Sequence, residues 1–255
     1  MSEDENNKVQ NKQAKIKRAK IKLAKNNQGK EATHARAAQT DKPSQPLVER
    51  PRSKFMRLVN SALAPSPAHG HHIDWQNLEL VADPLILRPA RASDFDAWHG
   101  LREQSRAHLT QWEPDWRDEE ATRPAFTRRL RADQMHMRAN RRFAFLVFTQ
   151  HDQTLVGGVT LTDIRMGNRC SGVIGYWLGE RFCRQGYASG AVMAVLQFGH
   201  ETLGLKRIEA ACQPGNLASI SLLSRLAFER EGLARDYLKI NDKWRDHEIW
   251  AHIKS

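Results

Sequence analysis

The segment Arg181–Val192 holds the residues with the clearest chemistry in this chain of 255 residues. It lies between an apolar run at Val173–Leu178, which predicts a strand, and one at Val192–Phe198, which predicts a helix. The start of a helix presents backbone N–H groups without acceptors at the positive end of the helix dipole. Gly186 and Ala188 would let a ligand approach that backbone closely. The pattern predicts a phosphate-binding turn, although an ordinary strand-to-helix connection would look the same.

The elements that must position this turn form the order β-α-α-β-β-β-α-β-α-β-β. The predicted strands are Leu85–Pro89, which the proline ends, Phe143–Thr149, Leu155–Ile164, Gly172–Leu178, Arg207–Gln213, Glu229–Ile240 and Lys243–Ile253. The first predicted helix begins at an N-cap on Ser93. The other predicted helices are Arg123–Ala139, Gly186–Leu203 and Leu217–Leu226. Strands that alternate with helices in this way predict one mixed α/β sheet. About 180 residues are enough to bury a single core.

Residues 1–70 have a different composition from the rest of the chain. They carry 15 Lys and Arg against 6 Asp and Glu, whereas residues 71–255 carry 25 against 23. Such a segment buries too little apolar surface to offset its ordering entropy, so we expect a disordered basic extension. Within it, Lys8–Lys25 could form a basic helix, and residues 55–63 a short second one.

Cysteine usage and hydropathy exclude several classes of protein. The three cysteines, Cys170, Cys183 and Cys212, show neither a CxxC pair nor the spacing of a zinc site, which fits a reducing cytoplasm and predicts no metal centre. No apolar run is long enough to cross a membrane, and the N-terminal residues do not have the pattern of a signal peptide. The sequence therefore predicts a cytoplasmic protein without a membrane partner.

Two motifs in order resemble the GNAT N-acetyltransferase family over residues 79–255. The first is the turn Cys183–Ala188, in which Gly186 and Ala188 match the family pattern and Cys183 stands where Gln or Arg is usual. The second is Asn216–Ser219, followed by an apolar helix and Ala227-Phe228, where Ala227 replaces a glycine. The resemblance implies an α/β fold with a splayed central sheet, and acetyl-CoA as co-substrate.

Further segments are similar to one branch, the ribosomal-protein-alanine N-acetyltransferases of the RimJ type. They are Trp112–Pro114, Ile174–Gly179, Arg184–Tyr187, Leu203–Ala210, Tyr237–Asn241 and Trp244–His247. This likeness implies transfer of an acetyl group to the N-terminal alanine of a ribosomal protein.

The resemblance also assigns residues to the co-substrate. The pyrophosphate of acetyl-CoA would lie on the backbone of Arg184, Gln185, Gly186, Tyr187, Ala188 and Ser189, with Arg184 as a side-chain cation. The pantetheine arm would pair with the strand edge at Tyr176, Trp177 and Leu178. Asn216 would donate a hydrogen bond to that arm.

Ser219 is the candidate for protonating or hydrogen-bonding the departing thiolate, unless it only caps its helix. Glu209 and Asp236 are the two candidates for a general base, and family analogy supports a carboxylate at either place. The alternatives are an ion pair of Glu209 with Arg207 and a solvated charge at Asp236. An α-amino group has a reference pKa of about 7.7–8.0, against about 10.4 for lysine, so a weak base suffices.

None of the other conspicuous side chains is assigned a catalytic role. We expect His247 to be structural and Cys183 to have no neighbouring base, while Trp112 and Trp116 either line the acceptor groove or cover the sheet. Two other functions stay open: acetylation of a small amine such as an antibiotic or polyamine, and a catalytically weak module that binds RNA or a ribosome through the basic extension.

Overall fold

The computed structural model describes residues 58–59, 73–114 and 117–254. They build one nine-stranded sheet in the order β1-β2-β3-β4-β5-β6-β7-β9-β8. The strands are β1 (Leu58–Val59), β2 (Glu79–Ala82), β3 (Leu85–Arg88), β4 (Phe143–Thr149), β5 (Leu155–Arg165), β6 (Ser171–Leu178), β7 (Arg207–Cys212), β8 (Glu229–Ile240) and β9 (Lys243–Ile253).

In the described part of the chain, five α-helices flank the sheet. They are α1 (Phe95–Gln104), α2 (Arg106–Leu109), α3 (Arg123–Arg138), α4 (Tyr187–Gln197) and α5 (Leu217–Arg225). Short 3-10 turns cover Ala92–Asp94, Asp118–Ala121 and Glu180–Phe182, and a π-helical turn at Phe198–Thr202 prolongs α4. Among the described residues, no helix is both long and apolar enough to cross a membrane.

One pair of neighbouring strands differs from all the others. Every pair is antiparallel except β6 and β7, which run parallel. Their ladder covers only Ser171–Val173 against Arg207–Glu209. Both strands continue beyond this ladder without pairing with each other, so the sheet is open between residues 174–178 of β6 and 210–212 of β7. We call this gap the opening.

Alternating side chains divide the core between the two faces of the sheet. On β4, Phe143, Phe145 and Val147 join the cluster that contains α4 and α5, whereas Leu146 and Phe148 join the cluster that contains α1 and α3. We refer to these sides as the α4/α5 face and the α1/α3 face. Because β6, β7 and β9 alternate in the same way, each side chain near the opening can be assigned to one face.

Most of the predicted elements are confirmed, including the bounds of β8 and β9. The prediction missed β2, which pairs with β3 through a turn at Asp83-Pro84. The predicted helix at 55–63 is wrong at Leu58–Val59, which pair with β2, and the helix predicted over Lys8–Lys25 lies outside the described residues.

The predicted cap on Ser93 is also wrong. A 3-10 turn precedes α1, and it is Asp94 that accepts a hydrogen bond from the backbone N–H of Arg91 at 2.7 Å. Asp94 is buried and is bound by both terminal nitrogens of Arg88, each at 2.8 Å. This ion pair fixes the connection between β3 and α1.

Candidate active site

The opening exposes one backbone edge of β6. On its other edge β6 pairs with β5, with Tyr176 opposite Val159 and Leu178 opposite Gly157. Tyr176 is three residues beyond the last β6–β7 pair, and so is Cys212 on β7, so these two positions face each other across the opening. An extended, amide-containing ligand can hydrogen-bond to a free strand edge of this kind.

The turn between β6 and α4 has the geometry of an anion site. Gly186 stands at the N-cap position with a φ of 84°, which L-residues rarely adopt, and no side chain caps the helix. The first hydrogen bond of the helix runs from Gly190 N to Gly186 O at 3.1 Å. The N–H groups of Tyr187, Ala188 and Ser189 therefore precede any acceptor within the helix. The strand-to-helix turn is therefore present as predicted, with exposed backbone at Gly186, and its role in phosphate binding stays a prediction.

Two side chains of the turn differ in whether they already have a partner. Arg184 is exposed and forms no ion pair with the described residues. Gln185 donates from Nε2 to the carbonyl of Arg181 at 2.8 Å, which holds its side chain back along the turn. Arg184 is thus the side-chain cation that remains available to a phosphate.

Cys183 does have a neighbouring base, contrary to the prediction. Its Sγ lies 3.6 Å from Nε2 of His108, which α2 contributes from 75 residues earlier. Burial, more than the nearby Glu180, raises the pKa of the Cys183 thiol, although Arg184 opposes that shift. The thiol is therefore protonated near neutral pH, and the histidine does not activate it as a nucleophile.

The first turn of α5 borders the opening on the α4/α5 face. Asn216 is its N-cap, and its Oδ1 accepts a hydrogen bond from Ser219 N at 3.1 Å. The Ser219 hydroxyl is not the cap. It lies close enough to Tyr176 to lower the pKa of that phenol, although burial dominates and raises this pKa to about 12.

The proximity of Tyr176 and Ser219 is not a formed hydrogen bond. The buried Oη of Tyr176 has no partner with hydrogen-bond geometry among the described residues. We therefore take the two hydroxyls as neighbours rather than as a bonded pair. The sequence placed only the Tyr176 backbone in the site, and its hydroxyl was missed because contact with a helix 40 residues later leaves no local pattern.

The two candidate carboxylates lie in different settings. Glu209 accepts from Arg207 Nε at 2.6 Å, and the same guanidinium binds both oxygens of Glu231 at 2.7 and 2.5 Å. The ion pair of Glu209 with Arg207, which was the alternative to a role as base, is present. Asp236 is exposed on the outer strand β8, and its backbone N–H donates to Asp246 at 3.0 Å.

Residues 105–114 cross the end of the opening and are held from both sides. Glu180 N, just after β6, donates to Ser105 Oγ at 3.0 Å. From the other side, Gln213 donates to the carbonyl of Gln111 at 3.1 Å, and Asn241 at the β8–β9 turn donates to that of Thr110 at 2.8 Å. The opening is therefore enclosed at this end.

Aromatic residues line the α1/α3 face beside this segment. The guanidinium of Arg102 lies 5.1 Å from the Trp177 ring and 5.6 Å from the Trp98 ring, and it binds Glu113 at 2.7 Å. Trp112 is partly buried next to Glu113, and Trp116 lies outside the described residues. This arrangement fits a groove wall, and it keeps Arg102 from acting as a free cation.

A cavity of about 450 Å³ lies elsewhere, between residues 75–78, the end of β3 and α3. Its wall includes Arg88, which the buried ion pair with Asp94 neutralises. The cavity touches neither the opening nor the phosphate turn. In the described part of the chain, no cluster of three or more His, Cys, Asp or Glu side chains could hold a metal ion.

Comparison with known proteins gives consistent results. Residues 84–229 match the family described as acetyltransferase (GNAT) domain. The [ribosomal protein uS5]-alanine N-acetyltransferase of Escherichia coli (strain K12) is 30% identical over 185 residues, which cover 71% of this chain and 94% of the relative. The probable N-acetyltransferase YjcK of Bacillus subtilis (strain 168) is 31% identical over 172 residues, covering 68% and 95%.

Solved structures resemble the fold to a similar degree. Mycobacterium smegmatis RimJ in complex with CoA-disulfide superposes with a TM-score of 0.63 at 30% identity, covering 66% of this chain and 81% of that one. The ribosomal-protein-S5-alanine acetyltransferase from Vibrio fischeri has a TM-score of 0.65 at 27% identity, covering 69% and 96%.

Proposed function

Because the chain belongs to the GNAT acetyltransferase family, we propose that it transfers the acetyl group of acetyl-CoA to a protein N-terminal α-amine. The specific acceptor is the N-terminal alanine of a ribosomal protein in the cytoplasm, whose amine attacks the thioester directly in a ternary complex. The observation that carries this proposal is the opening itself. It offers a free strand edge and an uncapped helix start to one substrate, and a second face to the other.

The described residues fit acetyl-CoA. The N–H groups of residues 187–189 and the side chain of Arg184 suit the pyrophosphate, and the free edge of Tyr176–Leu178 suits the peptide-like pantetheine arm. Asn216 uses its Oδ1 as the helix cap, so its Nδ2 is left to donate to the same arm. Acetyl-CoA supplies the activated acetyl group as a thioester.

The leaving thiolate needs a proton or a hydrogen bond. Ser219 and Tyr176 are the hydroxyl groups that line the opening on the α4/α5 face. With a pKa of about 12, Tyr176 is a neutral donor at physiological pH. Ser219 therefore assists the thiolate, with the Tyr176 hydroxyl beside it as a second donor.

The acceptor amine needs little help to lose its proton, because an α-amine has a reference pKa of about 7.7–8.0. Glu209 and Asp236 are the carboxylates considered as bases. Glu209 shares one guanidinium with Glu231, so its carboxylate already has a partner. Asp236 is exposed on the far strand of the sheet, and its contribution to the rate would be small.

The basic extension, residues 1–70, would bring the enzyme to ribosomes. Its excess of Lys and Arg suits nonspecific contact with phosphates, which weakens steeply with salt because counterions are released. A shortened chain that starts at Ser53, and so keeps β1, should keep its activity on peptides but co-sediment less with ribosomes at low salt. Equal co-sedimentation of both chains would exclude this role.

Mass spectrometry of acceptors after incubation with acetyl-CoA tests the proposed function. The panel contains lysine-free peptides that begin with Ala, Ser or Pro, an N-terminally blocked peptide with one Lys, and the polyamine spermidine. We expect a gain of one acetyl group on the Ala peptide. Modification of spermidine alone would favour the small-amine function, and no modification alongside retained ribosome binding would favour the binding module.

A further inference from the structure

We propose that His247 is the base that takes the proton from the attacking amine. This inference rests on the proposed function and deepens it, because it concerns the same opening. His247 lies on β9 and is 3% exposed. The sequence offered it only as a structural residue.

The strand register places His247 at the opening. The β7–β9 ladder ends with Cys212 opposite Glu248, so His247 is the first residue of β9 past the end of β7. Counted from the last β6–β7 pair, that level corresponds to Trp177 on β6. Since β7 has ended there, β9 itself borders the gap across from Trp177.

Side-chain alternation places His247 on the face from which an amine can arrive. On β9, Trp250 packs in the core on the α4/α5 face. His247 is three residues away, so it points to the α1/α3 face, as Trp177 does. Ser219 and Tyr176 lie on the other face, on the thiolate side. The groups for the nucleophile and for the leaving group are thus on opposite sides of the sheet.

The hydrogen bonds of His247 select the tautomer that a base requires. Nδ1 lies 3.0 Å from the carbonyl oxygen of Arg245, and a carbonyl can only accept. Nδ1 therefore carries the proton in the neutral ring, and Nε2 keeps its lone pair. Nε2 makes no hydrogen bond with any described residue. A backbone carbonyl on one nitrogen with a free lone pair on the other is a suitable arrangement for proton abstraction.

The carboxylate predicted for this role on the neighbouring strand already has a partner. Glu209 is held by Arg207, as described above. The Tyr237 ring lies 5.4 Å from the His247 ring and is the titratable side chain in contact with it. Charged neighbours on the hairpin include Arg235 and Asp236 on β8 and Arg245, Asp246 and Glu248 on β9, and Asp246 already accepts from Asp236 N.

The step balances without a further reactant. The neutral amine nitrogen attacks the thioester carbon and forms the C–N bond, and its surplus proton goes to Nε2 of His247. The C–S bond breaks, and the sulfur takes a proton from the Ser219 side of the opening. The products are the acetylated amine and CoA thiol, and solvent returns both side chains to their starting protonation.

His247→Asn tests the inference, because the asparagine amide can keep the N–H donor to Arg245 O but lacks the basic Nε2. We expect kcat with the Ala peptide to fall about 100-fold at pH 7, the scale of general-base catalysis. Acetyl-CoA affinity by calorimetry should stay within a few-fold of the parent. At about pH 9.5 the amine is neutral in solution and hydroxide can take the surplus proton that Nε2 would otherwise accept, so most of the rate should return. His151→Asn, at an exposed turn, is the matched control and should behave as the parent.

The outcomes separate the two proposals. A parent enzyme that does not modify the Ala peptide contradicts the proposed function. A parent that does, together with a fully active His247→Asn enzyme, contradicts the role of His247. So does a loss of equal size at every pH, which would indicate a structural role. If thermal melting shows that the asparagine variant is unfolded, His247→Gln takes its place with the same expectations.

Discussion

Helices α4 and α5 begin at two sides of the same opening, yet their first turns are completed differently. At α4, Gly186 has a left-handed conformation and no side chain caps the N–H groups. At α5, Asn216 caps the helix from within by accepting from Ser219 N. An uncapped start leaves donors for an anion from outside. In a capped start, one of these donors already has an acceptor. A ligand there therefore interacts mainly with the side chains of the first turn.

This difference assigns a separate task to each helix. The backbone of α4 is suited to holding a phosphate, for which residue size matters more than residue chemistry. The first turn of α5 is suited to contributing a hydroxyl and an amide, for which residue chemistry matters more than size. Substitutions at the two starts should therefore affect different kinetic quantities.

The largest effect should come from the chemistry of α5. In Ser219→Ala we expect kcat to fall by up to about 100-fold, because assistance to the leaving group matters mainly in the transition state. Acetyl-CoA affinity should change little. Steady-state kinetics with the Ala peptide measure both quantities, with Ser224→Ala, an exposed site on the same helix, as the control. A loss confined to KM would make Ser219 a binding residue.

The next largest effect should come from size at the start of α4. Gly186→Val should weaken acetyl-CoA binding at least about tenfold, because a branched side chain would stand where the phosphate approaches. A Cβ at this position meets no atom within 4 Å, so the cost to the fold is backbone strain at φ 84°, roughly 1–2 kcal/mol.

Gly167→Val is the matched control for that strain. Gly167 has a φ of 73°, and a Cβ there also meets nothing within 4 Å, but it lies in the turn between β5 and β6. Both variants should lose similar stability in thermal melts, and only Gly186→Val should lose affinity in calorimetry. Equal affinities would place the phosphate elsewhere.

A smaller effect should follow from Asn216→Asp. Aspartate caps a helix as well as asparagine does, so stability should be nearly unchanged, while the amide donor proposed for the pantetheine arm is lost. One hydrogen bond is worth about 0.5–1.5 kcal/mol, which predicts a several-fold rise in the dissociation constant of acetyl-CoA. If the affinity is retained and Asn216→Ala lowers only the melting temperature, Asn216 is a cap and nothing more.

The same contrast explains what could be predicted from the sequence. The start of α4 is a contiguous run of small residues between two apolar runs, so its conformation is determined by residues that are neighbours in the sequence. The bounds of β8 and β9 were also predicted from the sequence. By contrast, the contact between His108 and Cys183 joins residues 75 positions apart. The position of His247 at the opening depends on where the neighbouring strand β7 ends. Such relations follow from strand order and register, which a single sequence does not encode locally.

The smallest effect should appear at the far end of α5, where the chain departs from the family's glycine. Ala227 has a φ of 60°. Phe228 N donates to Leu223 O at 3.0 Å and Ala227 N to Ser224 O at 3.2 Å, which is the Schellman ending that glycine favours. An L-residue in this conformation costs about 1–2 kcal/mol, and the extra freedom of glycine in the unfolded chain offsets about 0.4–1 kcal/mol of that.

Ala227→Gly should therefore raise the free energy of unfolding by roughly 0.5 kcal/mol, a shift of about 1–2 °C in melting temperature for a domain of this size. Ala218→Gly, in the first turn of the same helix, should instead destabilise by about 0.5–1 kcal/mol. The side chain of Ala227 is not proposed to bind acetyl-CoA, so the affinity of Ala227→Gly for acetyl-CoA should equal that of the parent. The side chain of Ala218 is not proposed to bind it either. If both glycines destabilise equally, the end of α5 is not strained, and alanine at position 227 stabilises the helix as it would at an ordinary helical position.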